Sequence, residues 1–229
     1  MKRKFTLTVL ALCAAFGAAQ LAYAQDLNID DFTKGAYQSP QFFSGPTHGS
    51  SQTGPVANII GGTRSTNLDV CATTPCPVAN PFNQPSSYQF RPGTRGGPSA
   101  LLLKSGFYVG PRIDVGYGGG APMQADFTPY KNGWIRLNFK GVTENEIFGV
   151  LLFTGTTYAQ SGCHVVAYAG DFSVEVPFSL FHDNGIDYAN ITSMDFFFES
   201  GSAIGGTNLL VTSIEVSNTH KTSALTCSF

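Results

Sequence analysis

The sequence has little charge and no basic cluster beyond its first few residues. Charged residues make up 12% of the 229 positions against 42% hydrophobic ones, which excludes a coiled coil or a disordered acidic tail. The formal net charge of −2 and the absence of a later basic patch argue against a nucleic-acid partner.

The sequence also lacks the motifs that identify many enzymes. Its 4 histidines are scattered without zinc-ligand spacing, and no nucleophile elbow, phosphate-binding loop or dinucleotide fingerprint is present. A carboxylate pair for glycoside hydrolysis needs no such motif, and Glu175 with Asp195 or Glu199 is the pair that we consider. We predict that the protein is not an enzyme and keep a glycoside hydrolase as the alternative.

No apolar run long enough to span a membrane follows residue 24. Before it, Lys2, Arg3 and Lys4 precede an apolar core, and small residues occupy the two key positions before Gln25. This order predicts a cleaved secretory signal peptide over residues 1–24. We therefore expect a secreted protein, extracellular or periplasmic, in which residues 25–229 form a single domain without a transmembrane segment.

Four cysteines remain after the expected cleavage, an even number that suits an oxidising compartment. Three pairings are possible. We favour Cys71–Cys76, which brackets a short turn, together with Cys163–Cys227, which would tie the C-terminal segment to the body. A zinc site is the alternative, although one Cys-x4-Cys pair without a second motif is a poor ligand set.

Glycine (26), proline (13) and phenylalanine (19) are plentiful, and short strand-like runs alternate with turn sequences. The pattern predicts an all-β protein, an antiparallel β-sandwich of about ten short strands. The segments 33–57 and 71–98 are rich in polar and turn-forming residues, and we expect them to form long surface loops. The run 147–153 is apolar at every position, which favours a central strand covered on both faces.

Alternation along residues 134–140 separates an apolar face from a polar one. The polar face carries Trp134, Arg136 and Asn138, and other strands present Arg112 and Glu175 on their wet faces. An aromatic ring beside polar side chains suits a sugar, whose apolar face stacks while its hydroxyls take hydrogen bonds. These five residues are the predicted ligand-binding set, provided that their strands share a sheet.

The order of several short motifs resembles that of galactose-binding-like jelly-roll modules, a β-sandwich group that includes many carbohydrate-binding modules and uncharacterised secreted bacterial proteins. The motifs are Asp30-Asp31-Phe32, Gly61-Gly62-Thr63-Arg64, Gly133-Trp134-Ile135-Arg136, Val176-Pro177-Phe178 and Thr212-Ser213-Ile214-Glu215-Val216. The resemblance implies a jelly-roll fold over most of residues 28–217.

In that group the first and last strands often lie side by side near a structural calcium ion. The resemblance thus implies a Ca²⁺ site built from Asp30 or Asp31 with Glu215, because calcium prefers carboxylate and carbonyl oxygens. The last strand offers Glu215 where an Asp is more usual. An acidic strand edge facing water is the alternative.

Taken together, the sequence favours a secreted, non-catalytic module that binds a carbohydrate or another extracellular polymer. The alternative is a structural or adhesive cell-surface or matrix protein without a small ligand. A sandwich is a scaffold for either role.

Overall fold

The fold is described from a computed structural model. It describes residues 26–44, 50–70, 80–93, 97–200 and 205–227, and for 182–184 only the backbone. The predicted signal peptide and the predicted Cys71–Cys76 disulfide lie outside these residues.

Two mostly antiparallel sheets stack face to face, which confirms the predicted β-sandwich. The strands are β1 Leu27–Asp30, β2 Tyr37–Gln38, β3 Ser50–Thr53, β4 Arg64–Asp69, β5 Ser86–Arg91, β6 Ala100–Ser105, β7 Arg112–Tyr117, β8 Trp134–Val142, β9 Glu146–Thr154, β10 Thr157–Val165, β11 Phe172–Pro177, β12 Ser193–Ser200, β13 Asn208–Ser217 and β14 Leu225–Thr226. The helical segments are short 3₁₀ turns at Ile60–Gly62, Thr128–Tyr130, Phe178–Asn184 and Tyr188–Asn190.

The eight-stranded sheet has the order β14-β11-β8-β13-β6-β5-β2, and β1 also pairs with β13. The six-stranded sheet has the order β10-β9-β12-β7-β4-β3. All pairs are antiparallel except β11 with β14, which are parallel. No helix among the described residues is long and apolar enough to cross a membrane.

The core lies between the two inner faces, where alternate residues of each strand point inward. On β8 the inward residues Ile135, Leu137 and Phe139 are buried, as the alternation predicts. Phe148, Phe196 and Phe198 face them from the six-stranded sheet. Large phenylalanine rings thus supply much of the apolar surface that holds the sheets together.

The core also holds an ion pair that joins the two sheets. Arg64 on β4 is fully buried and donates to the Asp30 carboxylate on β1, while the Tyr117 hydroxyl donates to the same carboxylate at 3.1 Å. The guanidinium also lies 3.6 Å from the centroid of the Phe90 ring. Each buried charge therefore has a partner, which offsets the cost of removing it from water.

The expected long loops contain strands that the sequence analysis did not predict. β2 and β3 lie within 33–57, and β5 lies within 71–98. On β5, Tyr88 and Phe90 alternate with polar residues and point into the core. This strand was not predicted because the residues around it in the sequence are mostly polar and turn-forming.

The predicted Cys163–Cys227 disulfide is confirmed, with a Cα–Cα distance of 5.4 Å. Cys163 belongs to β10 and Cys227 follows β14 directly. These strands form the edges of different sheets, so the bond ties the two layers together along one side of the sandwich.

Candidate functional site

Four of the five predicted ligand-binding residues lie on one face, the outer face of the eight-stranded sheet. Trp134, Arg136 and Asn138 alternate along β8, and Glu175 on β11 is directly opposite Arg136. The Arg136 guanidinium donates to Glu175 Oε1 at 2.7 Å and to Glu215 Oε1 at 2.8 Å. Sequence alternation therefore grouped these side chains correctly.

The C-terminal segment after β13 covers the part of this face around Trp134 and Glu175. The His220 ring lies 5.3 Å from the Trp134 ring, and its Nδ1 is 2.5 Å from Glu175 Oε2. The backbone N–H of Lys221 donates to Glu175 Oε1 at 3.1 Å. Only 7% of Arg136 and 0% of Glu175 is exposed, so these two charges are satisfied internally and offer nothing to a ligand.

Arg112 lies on the opposite side of the sandwich, on the outer face of the six-stranded sheet. Its guanidinium donates to Asp114 Oδ1 at 3.0 and 2.7 Å and lies 4.2 Å from the centroid of the Phe197 ring. The expectation that Arg112 shares one surface with Trp134 is wrong, because their strands belong to different sheets.

The same separation removes the carboxylate pair that was considered for hydrolysis. Glu175 is on β11 of the eight-stranded sheet, whereas Asp195 and Glu199 are on β12 of the six-stranded sheet. Side chains on opposite outer faces cannot act on one glycosidic bond, which requires two carboxyl groups within about 10 Å of each other.

The residues implied for calcium do not fit a common site. β1 and β13 do lie side by side, with Asn28 opposite Glu215. However, Asp30 is engaged in the core by Arg64, Asp31 accepts from its own neighbour Thr33, and Glu215 bonds to Arg136 on the outer face. In the part of the chain that the structure describes, no three His, Cys, Asp or Glu side chains are grouped to hold a metal.

A groove of about 610 Å³ runs across the outer face of the six-stranded sheet. Strand register places Ser65, Gly116 and Asp195 in one row across β4, β7 and β12. A Cβ atom added to Gly116 would lie 2.7 Å from Ser65 Oγ and 3.6 Å from Asp195 Oδ1. The missing side chain therefore opens the floor of the groove between two polar groups.

The floor of the groove carries two neighbouring carboxylates, Asp114 on β7 and Asp195 on β12. The pKa of Asp195 is raised to about 6, mainly by burial and also by the negative charge of Asp114, while the positive charge of Arg112 opposes both. Serine, asparagine and glutamine side chains line the rest of the groove, at Ser50, Gln52, Ser65, Asn67 and Ser193. The site is thus rich in hydrogen-bond acceptors and carries negative charge.

Aromatic rings stand beside these polar groups. Phe153 on β9 lines the groove, and the Tyr158 ring on β10 lies 5.8 Å from it, with 58% of Tyr158 exposed. Further along the sheet, Phe197 lies over Gly149, where an added Cβ would come within 2.2 Å of the ring. Flat apolar surfaces and polar side chains therefore alternate across this face.

This groove was not predicted from the sequence, although one signal pointed to it. The run 147–153 was expected to be covered on both faces, and this expectation is wrong for its outer face. β9 lies next to the edge strand β10, and its outward residues Ile147, Leu151 and Phe153 are only half-buried. Apolar residues that face outward from a sheet can indicate a binding surface as well as a covered strand.

No protein-family model matches the chain, and no curated protein matches it. Solved structures of carbohydrate-binding modules are similar to it in chain course. A family 30 carbohydrate-binding module has 15% sequence identity, covering 88% of this chain and 92% of its own, with a TM-score of 0.47. The family 30 module of a Clostridium thermocellum cellulosomal cellulase has 14% identity, covering 86% and 99%, with a TM-score of 0.46.

A third similar structure is the family 11 carbohydrate-binding module of another Clostridium thermocellum cellulosomal cellulase. Its identity to this chain is 11%, the match covers 86% of this chain and 96% of the module, and the TM-score is 0.40. These three similarities concern the course of the chain alone.

Proposed function

We propose that this protein is a non-catalytic module that binds a carbohydrate polymer along the groove on the six-stranded sheet. The observation that carries the proposal is the row of hydrogen-bonding side chains beside the exposed ring of Tyr158. A sugar ring presents an apolar face for stacking and hydroxyl groups for carboxylate and amide partners. The groove offers both kinds of contact on one surface.

The dimensions of the groove favour an extended polymer over a single sugar. Its lining residues run from Ser50 and Gln52 on β3 to Phe153 on β9. These strands are separated by four spacings of about 4.8 Å, so the groove is roughly 19 Å long. The floor is a regular sheet, so the protein backbone loses little conformational entropy when a polymer binds.

We also propose that the protein is secreted. The Cys163–Cys227 disulfide is the kind of bond that persists in oxidising compartments, and the predicted signal peptide agrees with it. A structural or adhesive role without a small ligand remains the alternative to polymer binding.

Hydrolysis of the bound polymer is a second candidate function, and one observation favours it. Asp114 and Asp195 lie in the same groove, and the pKa of Asp195 is raised to about 6. A raised pKa next to a second carboxylate is what a general acid in glycoside hydrolysis requires. Release of new reducing ends from a bound polysaccharide would distinguish this function from binding alone.

Affinity for a panel of neutral polysaccharides, measured at pH 8, tests the proposal. We expect the purified protein to bind at least one glycan class and Tyr158→Ala to weaken that binding at least tenfold. Asp195→Asn should also weaken it, because a hydrogen bond to a charged group is worth more than one to a neutral amide. Tyr108→Ala, which removes an exposed ring outside the groove, is the matched control and should leave affinity unchanged.

Trp134→Ala tests the other predicted surface in the same assay. If Trp134→Ala abolishes binding and Tyr158→Ala does not, the groove is the wrong site. If no polysaccharide binds, carbohydrate recognition fails for the whole panel, and the structural or adhesive alternative takes its place.

A further inference from the structure

A second groove, of about 550 Å³, lies on the outer face of the eight-stranded sheet. Its floor is formed by Asn138, Ser173 and Thr212, and one wall is the C-terminal segment with Lys221 and Leu225. The Cys163–Cys227 disulfide and the pairing of β14 with β11 hold that wall in place. The wall of the second groove is therefore fixed by the fold and does not depend on a ligand.

An exposed tyrosine stands at the end of the second groove. The backbone N–H and carbonyl of Tyr168 both bond to Val142, at 2.9 Å each, and its ring packs edge-on against Phe172 at 5.4 Å. Even so, 53% of Tyr168 remains exposed. This ring is preorganised for stacking, because its backbone is fixed and its face is open to solvent. The protein therefore loses little conformational entropy when a ligand stacks on the ring.

A further hollow of about 500 Å³ continues on the other side of this ring. Tyr168 and Lys140 line both the second groove and this hollow. A sugar chain that stacks on Tyr168 would therefore find space on either side of the ring.

The charge of the second groove is opposite to that of the first. Lys221 Nζ donates to Ser173 Oγ at 2.7 Å, and no carboxylate of a described residue is within ion-pair distance of it. Lys140 is 3.6 Å from Asp171 Oδ1, and both side chains are exposed, so water screens that pair strongly. The groove thus has two ammonium groups and one weakly engaged carboxylate.

We propose that this second groove binds an anionic polysaccharide, one whose sugars carry carboxylate or sulfate groups. The Tyr168 ring stacks on a sugar, while Lys221 and Lys140 pair with its acidic substituents. Asn138, which the sequence predicts as a ligand-binding residue, lies in the floor of this site. The protein would then hold two polymers of different charge on opposite faces of one sandwich.

The test compares polymers that differ only in charge, in low-salt affinity electrophoresis. Polygalacturonate is paired with its methyl ester to probe carboxylates, and κ-carrageenan is paired with its desulfated form to probe sulfates. We expect at least one anionic polymer to retard the protein more than its neutral counterpart does. Raising the ionic strength should weaken that retardation.

Substitutions then locate the site. Tyr168→Ala and Lys221→Gln should each lower affinity for the anionic polymer at least tenfold, and Lys140→Gln should lower it as well. Lys104→Gln, an exposed lysine outside the second groove, is the matched control and should have no effect. Tyr158→Ala beside the first groove should leave anionic binding unchanged, which separates this proposal from the first.

Three results would overturn the inference. They are equal retardation by the charged and neutral members of both pairs, unchanged affinity in Tyr168→Ala and Lys221→Gln, and loss of anionic binding in Tyr158→Ala. The substituted side chains are exposed at the surface, so the variants are expected to fold. Thermal denaturation of each variant checks this.

Discussion

Replacing Asp195 by asparagine should make the protein more stable at pH 8. Burial and the nearby Asp114 charge raise the pKa of Asp195 from 3.8 to about 6. Two pKa units correspond to about 3 kcal/mol of preference for the neutral form. Solvent reaches this half-buried carboxylate, so we expect the charge to destabilise the folded state by roughly 2 kcal/mol.

The pH dependence of this effect has a definite sign. Below about pH 4 the carboxyl is protonated in both the folded and the unfolded chain, and it contributes no penalty. Between pH 4 and 6 the unfolded chain ionises while the folded chain keeps its proton, so stability falls as pH rises. Above pH 6 the full penalty is present, and Asp195→Asn removes it.

Urea denaturation of the wild type and Asp195→Asn at pH 4 and pH 8 measures the effect. We expect a gain of roughly 2 kcal/mol at pH 8 and almost none at pH 4. Asp171→Asn, an exposed carboxylate on the opposite face, is the control and should change stability by less than about 0.5 kcal/mol. The reasoning is refuted if Asp195→Asn destabilises the protein at pH 8, or if its gain is the same at both pH values.

Two further predictions concern the links between the sheets. Replacing Cys163 and Cys227 by serine should lower the free energy of unfolding by about 4 kcal/mol, because the disulfide closes a loop of 64 residues; a loss below about 1 kcal/mol in chemical denaturation would contradict this. Arg64→Met should cost about 3 to 5 kcal/mol, because it leaves the Asp30 carboxylate in the core without its positive partner. Adding Asp30→Asn should recover most of that loss, and a double-mutant cycle with a coupling below about 1 kcal/mol would show the pair to be unimportant.

Local sequence patterns correctly predicted the features that depend only on residues close together in the chain. Alternation along residues 134–140 placed Trp134, Arg136 and Asn138 on one face, because side chains on a strand alternate whatever the strand packs against. The Cys163–Cys227 pair was also predicted, as the pair that remains when Cys71 and Cys76 are joined across a short turn.

The order of strands in the sheets could not be predicted from one sequence. Most of the wrong predictions about the site follow from this. Arg112 has the same local pattern as Arg136, yet the two residues are in different sheets. Nothing in the run around Trp134 shows that His220, more than eighty residues later, will cover it. These relations are fixed by long-range pairing, which depends on the whole core.

Arg64 shows a second limit of the sequence. An arginine that follows a Gly-Gly-Thr turn is expected at the surface, but Arg64 is fully buried. Its partner Asp30 lies 34 positions earlier and was expected to bind calcium. A charged residue can be placed in a core only when its partner is known, and the partner is set by the tertiary fold.

The pairing of β14 with β11 has a consequence for self-association. Without β14, β11 would leave the row of backbone groups at its outer side unpaired, and such a row can template strand addition by another chain. Two residues of β14 pair there, and the backbone N–H of Cys227 donates to the carbonyl of Glu175 at 2.9 Å. Because the disulfide anchors this short strand, residues 225–227 block an edge at which copies of the protein would otherwise aggregate.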